Sequence, residues 1–146
     1  MLRFATIAAA LAIGATAVYA QNADAIKARQ TSMKAMSEAA KGPGGMMKGS
    51  APFALPAVQA ALKTYQDEAT KAKGLFPDNS KAGADNEALP TIWEKKADFD
   101  GKWDKLAADA KAAAVAIKDE ASFKAEWGKV MGNCGGCHKD YRKPKS

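Results

Sequence analysis

The chain is poor in the residues from which most reactive sites are built. Its 146 residues contain two cysteines and one histidine. Cys134, Cys137 and His138 together fall one short of the four ligands of a structural zinc site. No nucleophile is paired with a base, and the acidic residues read as solvated helix faces, so the composition points away from an enzyme. Stretches with strand alternation are missing, which excludes a sheet protein. The apolar run from Phe4 to Val18 is shorter than the ~20 residues a membrane span needs, which argues against stable membrane insertion. Lysine and arginine number 22, yet they form no compact block with interleaved aromatics, so no nucleic acid is expected as a partner.

What is there begins with Cys134-Gly135-Gly136-Cys137-His138, which holds both cysteines and the lone histidine. C-x-x-C-H reads as a covalent attachment site for c-type haem. Two thiols add to the two vinyl groups on one side of the porphyrin, and the histidine after the second cysteine lies under the ring and gives the iron an imidazole ligand. Glycines at the two intervening positions keep bulk away from the macrocycle. The plainer readings fit less well. A redox dithiol usually accompanies alternating strands and helices, which this chain lacks. A structural disulfide around Gly135-Gly136 would be an odd use of both cysteines.

The N-terminus supports this reading. Met1-Leu2-Arg3, the apolar Phe4 to Val18 and the small residues before Gln21 describe a signal peptide over residues 1–20, cleaved after Ala20. The expected mature domain is residues 21–146. Export places it in the periplasm, an oxidising compartment. Losing Arg3 changes the formal charge from +6 to +5, a modest excess that reads as solvated surface. A basic rim of this kind can steer an acidic redox partner.

The mature chain reads as four helices. The first runs from about Asp24 to Lys41, with Ile26, Met33, Met36 and Ala40 on one face and Arg29 and Gln30 on the same side. Gly42-Pro43-Gly44-Gly45 should break or sharply kink it. The second starts near Pro56, carries the stripe Val58, Leu62, Tyr65, Ala69 and Ala72, and ends at Gly74. A polar surface loop is expected from Asp78 to Leu89. The third helix begins near Pro90 and continues through Ile92, Phe99, Trp103, Leu106, Ala110, Ala113 and Ile117, with Lys96 interrupting the spacing and Gly101 weakening but not ending the helix. The fourth begins at Asp119 or Glu120, with Phe123, Trp127, Val130, Met131, Cys134, Cys137, His138 and Tyr141 on one face. These segments specify an all-α, antiparallel four-helix bundle with one haem in its core.

With one histidine, the iron's sixth position falls to methionine, lysine, water or nothing. Periodicity alone leaves Met33, Met36, Met46 and Met47 open, because a methionine on a core face is ordinarily a space-filler. Met131 lies on the same helix as the haem motif and cannot easily reach the opposite face of the ring.

Several segments carry a resemblance in the same order along the chain: Arg29-Gln30-Thr31-Ser32-Met33-Lys34, Lys48-Gly49 before Pro52-Phe53, Leu75-Phe76-Pro77, Ile92-Trp93, and Cys134 to His138 with Tyr141-Arg142. They resemble the class II c-type cytochromes, the cytochrome c′ family. The resemblance implies a left-handed four-helix bundle with haem c bound through two thioethers to Cys134 and Cys137, and His138 on iron. It implies Met33 as sixth ligand, as in the low-spin branch of that family. It puts Arg29 and Gln30 near the haem propionates and Arg142 near the proximal histidine. A homodimer through the first two helices is also implied, an arrangement that a break at Gly42–Gly45 would disturb.

The function that follows is a periplasmic monohaem carrier of single electrons, meeting redox-protein partners transiently through an exposed haem edge. The alternative is a five-coordinate cytochrome c′ that binds nitric oxide or other small gases; it needs an open iron site, and Met33 argues against it. A haem-free helical module is the third reading.

Overall fold

The computed structural model describes residues 5–83 and 85–144, with side chains from Ala23 onward. Among the described residues five α-helices follow one another: α1 (Ala5–Met47), α2 (Leu55–Lys73), the short α3 (Thr91–Glu94), α4 (Lys96–Ala116) and α5 (Glu120–Tyr141). A 3-10 turn, Asp78–Ser80, stands between α2 and α3. Among the described residues the only ladder pairing is an isolated bridge between Ala88 and Arg142. α1, α2, α4 and α5 form the four-helix bundle, with α2 packed against α1 and α4, and α4 against α5. The expected cut after Ala20 concerns residues whose side chains lie outside those described. No described helix is long and apolar enough to cross a membrane.

The α2 stripe behaves as its spacing requires: Val58, Leu62, Tyr65, Ala69 and Ala72 are all buried. Against it α4 presents Phe99, Trp103, Leu106, Ala110 and Ala113, and α5 presents Phe123, Trp127 and Val130. The alanines on the α2 and α4 faces let the two backbones approach closely. Phe99 is the hub of the aromatic core, with edge-on contacts to Phe76, Trp103 and Tyr141 at centroid distances of 4.7, 6.0 and 5.1 Å.

Two sequence expectations fail here. The Gly42–Gly45 run does not break α1, which continues to Met47 with Pro43 inside it. Proline in a helix interior costs ~3 kcal/mol. Pro43 and Met46 are both buried, and burying one methionine-sized side chain already returns ~1.5–3 kcal/mol. The helix ends at Met47 instead, and the chain turns two residues later. Gly49 takes a φ of 71°, its N–H donates to the Met46 carbonyl at 3.1 Å, and the Ser50 N–H donates to the Gly45 carbonyl at 3.0 Å. This is the paired closure that a glycine after the C-cap allows.

The expected third helix is divided. Lys95, at φ −119° and ψ 44°, separates α3 from α4. The break lets Trp93 turn outward, where its indole N–H donates to the Phe76 and Pro77 carbonyls at 3.1 and 3.2 Å, while Phe99 faces the core. Gly101 lies inside α4 and does not end it.

Candidate haem site

α1 and α5 face one another across a cavity with two adjoining lobes of about 570 and 240 Å³. Met33 on α1 and His138 on α5 line both lobes, as do Trp103 and Cys137. The larger lobe is bounded by Arg29, Gln30, Phe99, Tyr141 and Arg142. The smaller is bounded by Met36, Tyr65, Leu106, Met131 and Cys134. The five-residue motif on the last helix and the first-helix methionine therefore meet in one space, although they are more than a hundred residues apart in sequence.

The motif is helical throughout, so Cys134 and Cys137 stand one turn apart on one face. Both cysteines are half-buried, and they are not joined in a disulfide. Burial raises both pKa values, that of Cys137 to about 11, so both remain neutral thiols. Gly135 and Gly136 are exposed, and a β-carbon on either would meet nothing within 4 Å outside its own helix. Among the described residues no three His, Cys, Asp or Glu side chains converge to hold a metal ion.

Arg29 is buried, and its hydrogen-bond partners among the described residues are neutral. One guanidinium nitrogen donates to Ser80 Oγ at 3.1 Å and the Leu75 carbonyl at 3.5 Å. The other donates to the Ser80 carbonyl and to Asn86 Oδ1, each at 2.9 Å. Its charge lies over the Phe76 ring, 4.9 Å from the centroid. Desolvation lowers its pKa, but a guanidinium stays charged in proteins. Gln30 is exposed and donates to the Asp85 carbonyl at 2.9 Å. Arg142 reaches the same lobe with its Nε buried and without a partner among the described residues.

These bonds revise the expectation of a simple surface loop from Asp78 to Leu89. Ser80 and Asn86 are buried. Asn86 also accepts from the Ala88 N–H at 3.0 Å and donates to the Lys81 carbonyl at 2.8 Å. The end of the loop is fastened to the chain after α5, with Leu89 N–H on the Tyr141 carbonyl at 3.0 Å and Lys143 N–H on the Glu87 carbonyl at 2.8 Å. The loop thus walls the larger lobe. Ser80, Asn86 and the polar ends of Tyr65 and Trp103 escaped sequence reasoning. The two aromatics sit at predicted core positions, where periodicity reports burial and says nothing about an unspent hydroxyl or N–H.

The sequence model of the family described as Cytochrome C′ matches residues 24–142. The chain belongs to the cytochrome c′ family. It is 48% identical over 145 residues to the cytochrome c′ of Rhodopseudomonas palustris, covering 99% of each chain. It is 34% identical over 146 residues to cytochrome c-556 of the same organism, covering 97% of each. A solved structure of cytochrome c′ from Rhodopseudomonas palustris superposes with a TM-score of 0.83 at 50% identity, over 84% of this chain and 98% of that one.

The cofactor of a class II cytochrome is haem c, held by two thioethers. This chain's cavity fits such a group. It offers two thiols on one helical face, an imidazole beside them, a largely apolar interior, and a buried cation, Arg29, with no carboxylate among its partners. Tyr65, Trp103 and Arg142 line the cavity, and each also carries a buried polar atom, Tyr65 OH, Trp103 Nε1 and Arg142 Nε, without a partner among the described residues. Unspent buried polar groups are rare in native proteins and commonly mark the place of a ligand.

Proposed function

We propose that the chain is a periplasmic monohaem cytochrome that carries single electrons, with Cys134 and Cys137 as the attachment points and His138 and Met33 as the axial iron ligands. The observation that carries this reading is that Met33 and His138 line both lobes of one cavity from opposite helices. Met36 lines only the smaller lobe. Met46 is buried in the core away from the cavity and Met47 is exposed. Met131 shares α5 with His138.

Haem c supplies the Fe(III)/Fe(II) couple. The protein's part is to keep that couple's surroundings the same in both states. His138 is held within the helical part of α5. Met33 is held on α1 between Arg29, which is locked into the loop, and the buried end at Met46. A thioether ligand and an apolar interior both favour the reduced state over a bis-imidazole arrangement. Arg29 and Arg142 place positive charge at the larger lobe, where propionates would be held, and Gln30 secures the loop beside them through Asp85. Transfer through the haem edge calls for a small, transient interface with a redox partner. The signal peptide ending at Ala20 accounts for export; an intact mass that begins at Gln21 is the expected result. A homodimer through α1 and α2 stays part of the reading, since α1 is continuous through Pro43.

The test is optical. The oxidised protein should be low-spin and show a methionine-to-iron charge-transfer band. Met33→Ala should abolish the band and give a five-coordinate or water-ligated iron, while haem stays on the denatured chain. High-spin spectra of the unaltered protein in both redox states would overturn the His/Met reading. They would instead support a five-coordinate, gas-binding cytochrome c′, the reading favoured by the higher identity to a relative of that name.

A further inference from the structure

Two cations converge on Asn86, a residue that carries no charge. From α1, one Arg29 guanidinium nitrogen donates to Asn86 Oδ1 at 2.9 Å. From the chain after α5, the Lys143 ammonium donates to the Asn86 carbonyl, also at 2.9 Å. Asn86 is 9% exposed and Arg29 5%. A buried cation ordinarily takes a carboxylate as its partner, and an aspartate would fill the space of Asn86. The neighbours fix which way the amide points. Oδ1 accepts from Arg29 and from the Ala88 N–H at 3.0 Å, while Nδ2 donates to the Lys81 carbonyl at 2.8 Å. Turned over, the amide would set N–H against N–H and oxygen against oxygen.

The other hydrogen-bond partners of Arg29 among the described residues, Leu75 and Ser80, are neutral as well. Asp85 and Glu87 flank Asn86 and line the same lobe, but both are exposed to water, which screens them. Arg29, Asn86 and Phe76 all line the larger lobe, and the guanidinium lies over the Phe76 ring. A charge held in apolar surroundings acts over several ångströms, because little there screens it. It needs no contact to influence a group in the lobe. Oxidation adds one positive charge at a haem iron, and a fixed cation nearby opposes that step.

We propose that Asn86 is a positioning residue for electron transfer: it holds Arg29 at the larger lobe through a neutral amide, so that the charge of the guanidinium is left to the haem and favours the reduced iron. This rests on the haem reading given above, and it holds whichever group occupies the iron's sixth position. A carboxylate at residue 86 would fasten the same fork but spend its charge within the protein.

Asn86→Asp and Asn86→Ala separate the charge from the fastening. Both lose the bond from Nδ2 to the Lys81 carbonyl, and only Asn86→Asp sets an anion against the guanidinium. The holoproteins are compared by redox titration, at the midpoint potential of the unaltered protein. Asn86→Asp should move the ratio of reduced to oxidised haem severalfold toward the oxidised form. Asn86→Ala should melt at a lower temperature and move that ratio much less. Equal shifts in the two variants, or none in Asn86→Asp, would mean that Asn86 only fastens the loop, and either result overturns the proposal. Should circular dichroism show that Asn86→Asp does not fold, Arg29→Gln takes its place. Deleting the charge should then move the ratio in the same direction, and an unmoved ratio overturns the proposal. A denatured chain that retains no haem marks the failure of the haem reading instead, and the proposal falls with it.

Discussion

Ser32, next to Met33 on α1, is fully buried, and its hydroxyl has no hydrogen-bond partner among the described residues. It does not line the cavity, so haem has no claim on it. Ser32→Ala removes an unpaired polar atom at almost no cost in volume and should stabilise the protein by about 1 kcal/mol, read from urea unfolding of the holoprotein. A loss of stability would mean that the hydroxyl is bonded after all. Individual residues were unevenly legible in the sequence. Cys134, Cys137 and His138 were readable because their spacing is dictated by covalent chemistry. Val58 and Leu62 were readable because helical periodicity reports burial. Arg29 was marked by a resemblance, but its four hydrogen bonds to Leu75, Ser80 and Asn86 follow from a loop about fifty residues away, which no local pattern encodes.

Among the elements, α5 is the one whose start is written most clearly. The Asp119 carboxylate accepts from the Ser122 N–H at 2.8 Å, and the Ser122 hydroxyl accepts from the Asp119 N–H at 3.1 Å. This reciprocal pair satisfies donors that the first turn would otherwise leave bare. The Ser122 hydroxyl, and after it the Ser122 N–H, hold the Asp119 pKa below the ordinary carboxylate value. The folded value is the lower one, so the stabilisation is complete above the unfolded value of about 3.9 and is lost as pH falls through the folded value. Asp119→Ala should lower the melting temperature at neutral pH, and its difference from the unaltered protein should close as pH drops below about 4. A difference independent of pH would refute the cap's electrostatic part. α1 shows the opposite case. Its glycines and proline signal a break, and only the burial of Pro43 and Met46 against the bundle reverses it. The division at Lys95 was only partly visible: Lys96 interrupts the apolar spacing, but the heptad step from Ile92 to Phe99 runs on across it.

For the whole molecule, the loop between α2 and α3 ties the bundle together at the mouth of the cavity. Arg29 reaches it from α1, Gln30 holds Asp85, and Glu87 and Leu89 bond to the chain at the end of α5. Gly83 lies against this assembly at φ 154°, and a β-carbon there would come within 2.5 Å of Ile26 Cδ1. Arg29→Lys keeps the charge but loses the planar fork, and a single ammonium cannot span Ser80 and Asn86 as it does. That variant should lose about 2 kcal/mol of stability and become open to limited proteolysis between residues 81 and 89, with its helical circular dichroism unchanged. Unaltered resistance to cleavage would show that the C-terminal bonds hold the loop alone. The sequence by itself determined the helical class, the number of long amphipathic segments and the haem attachment motif, because helical period and covalent spacing are local properties. Tertiary structure alone decided that α1 stays whole, that the polar loop becomes a wall, and that Met33 and His138 open on one cavity. Those outcomes depend on which buried groups meet across the bundle, and the chain brings them together only when it packs.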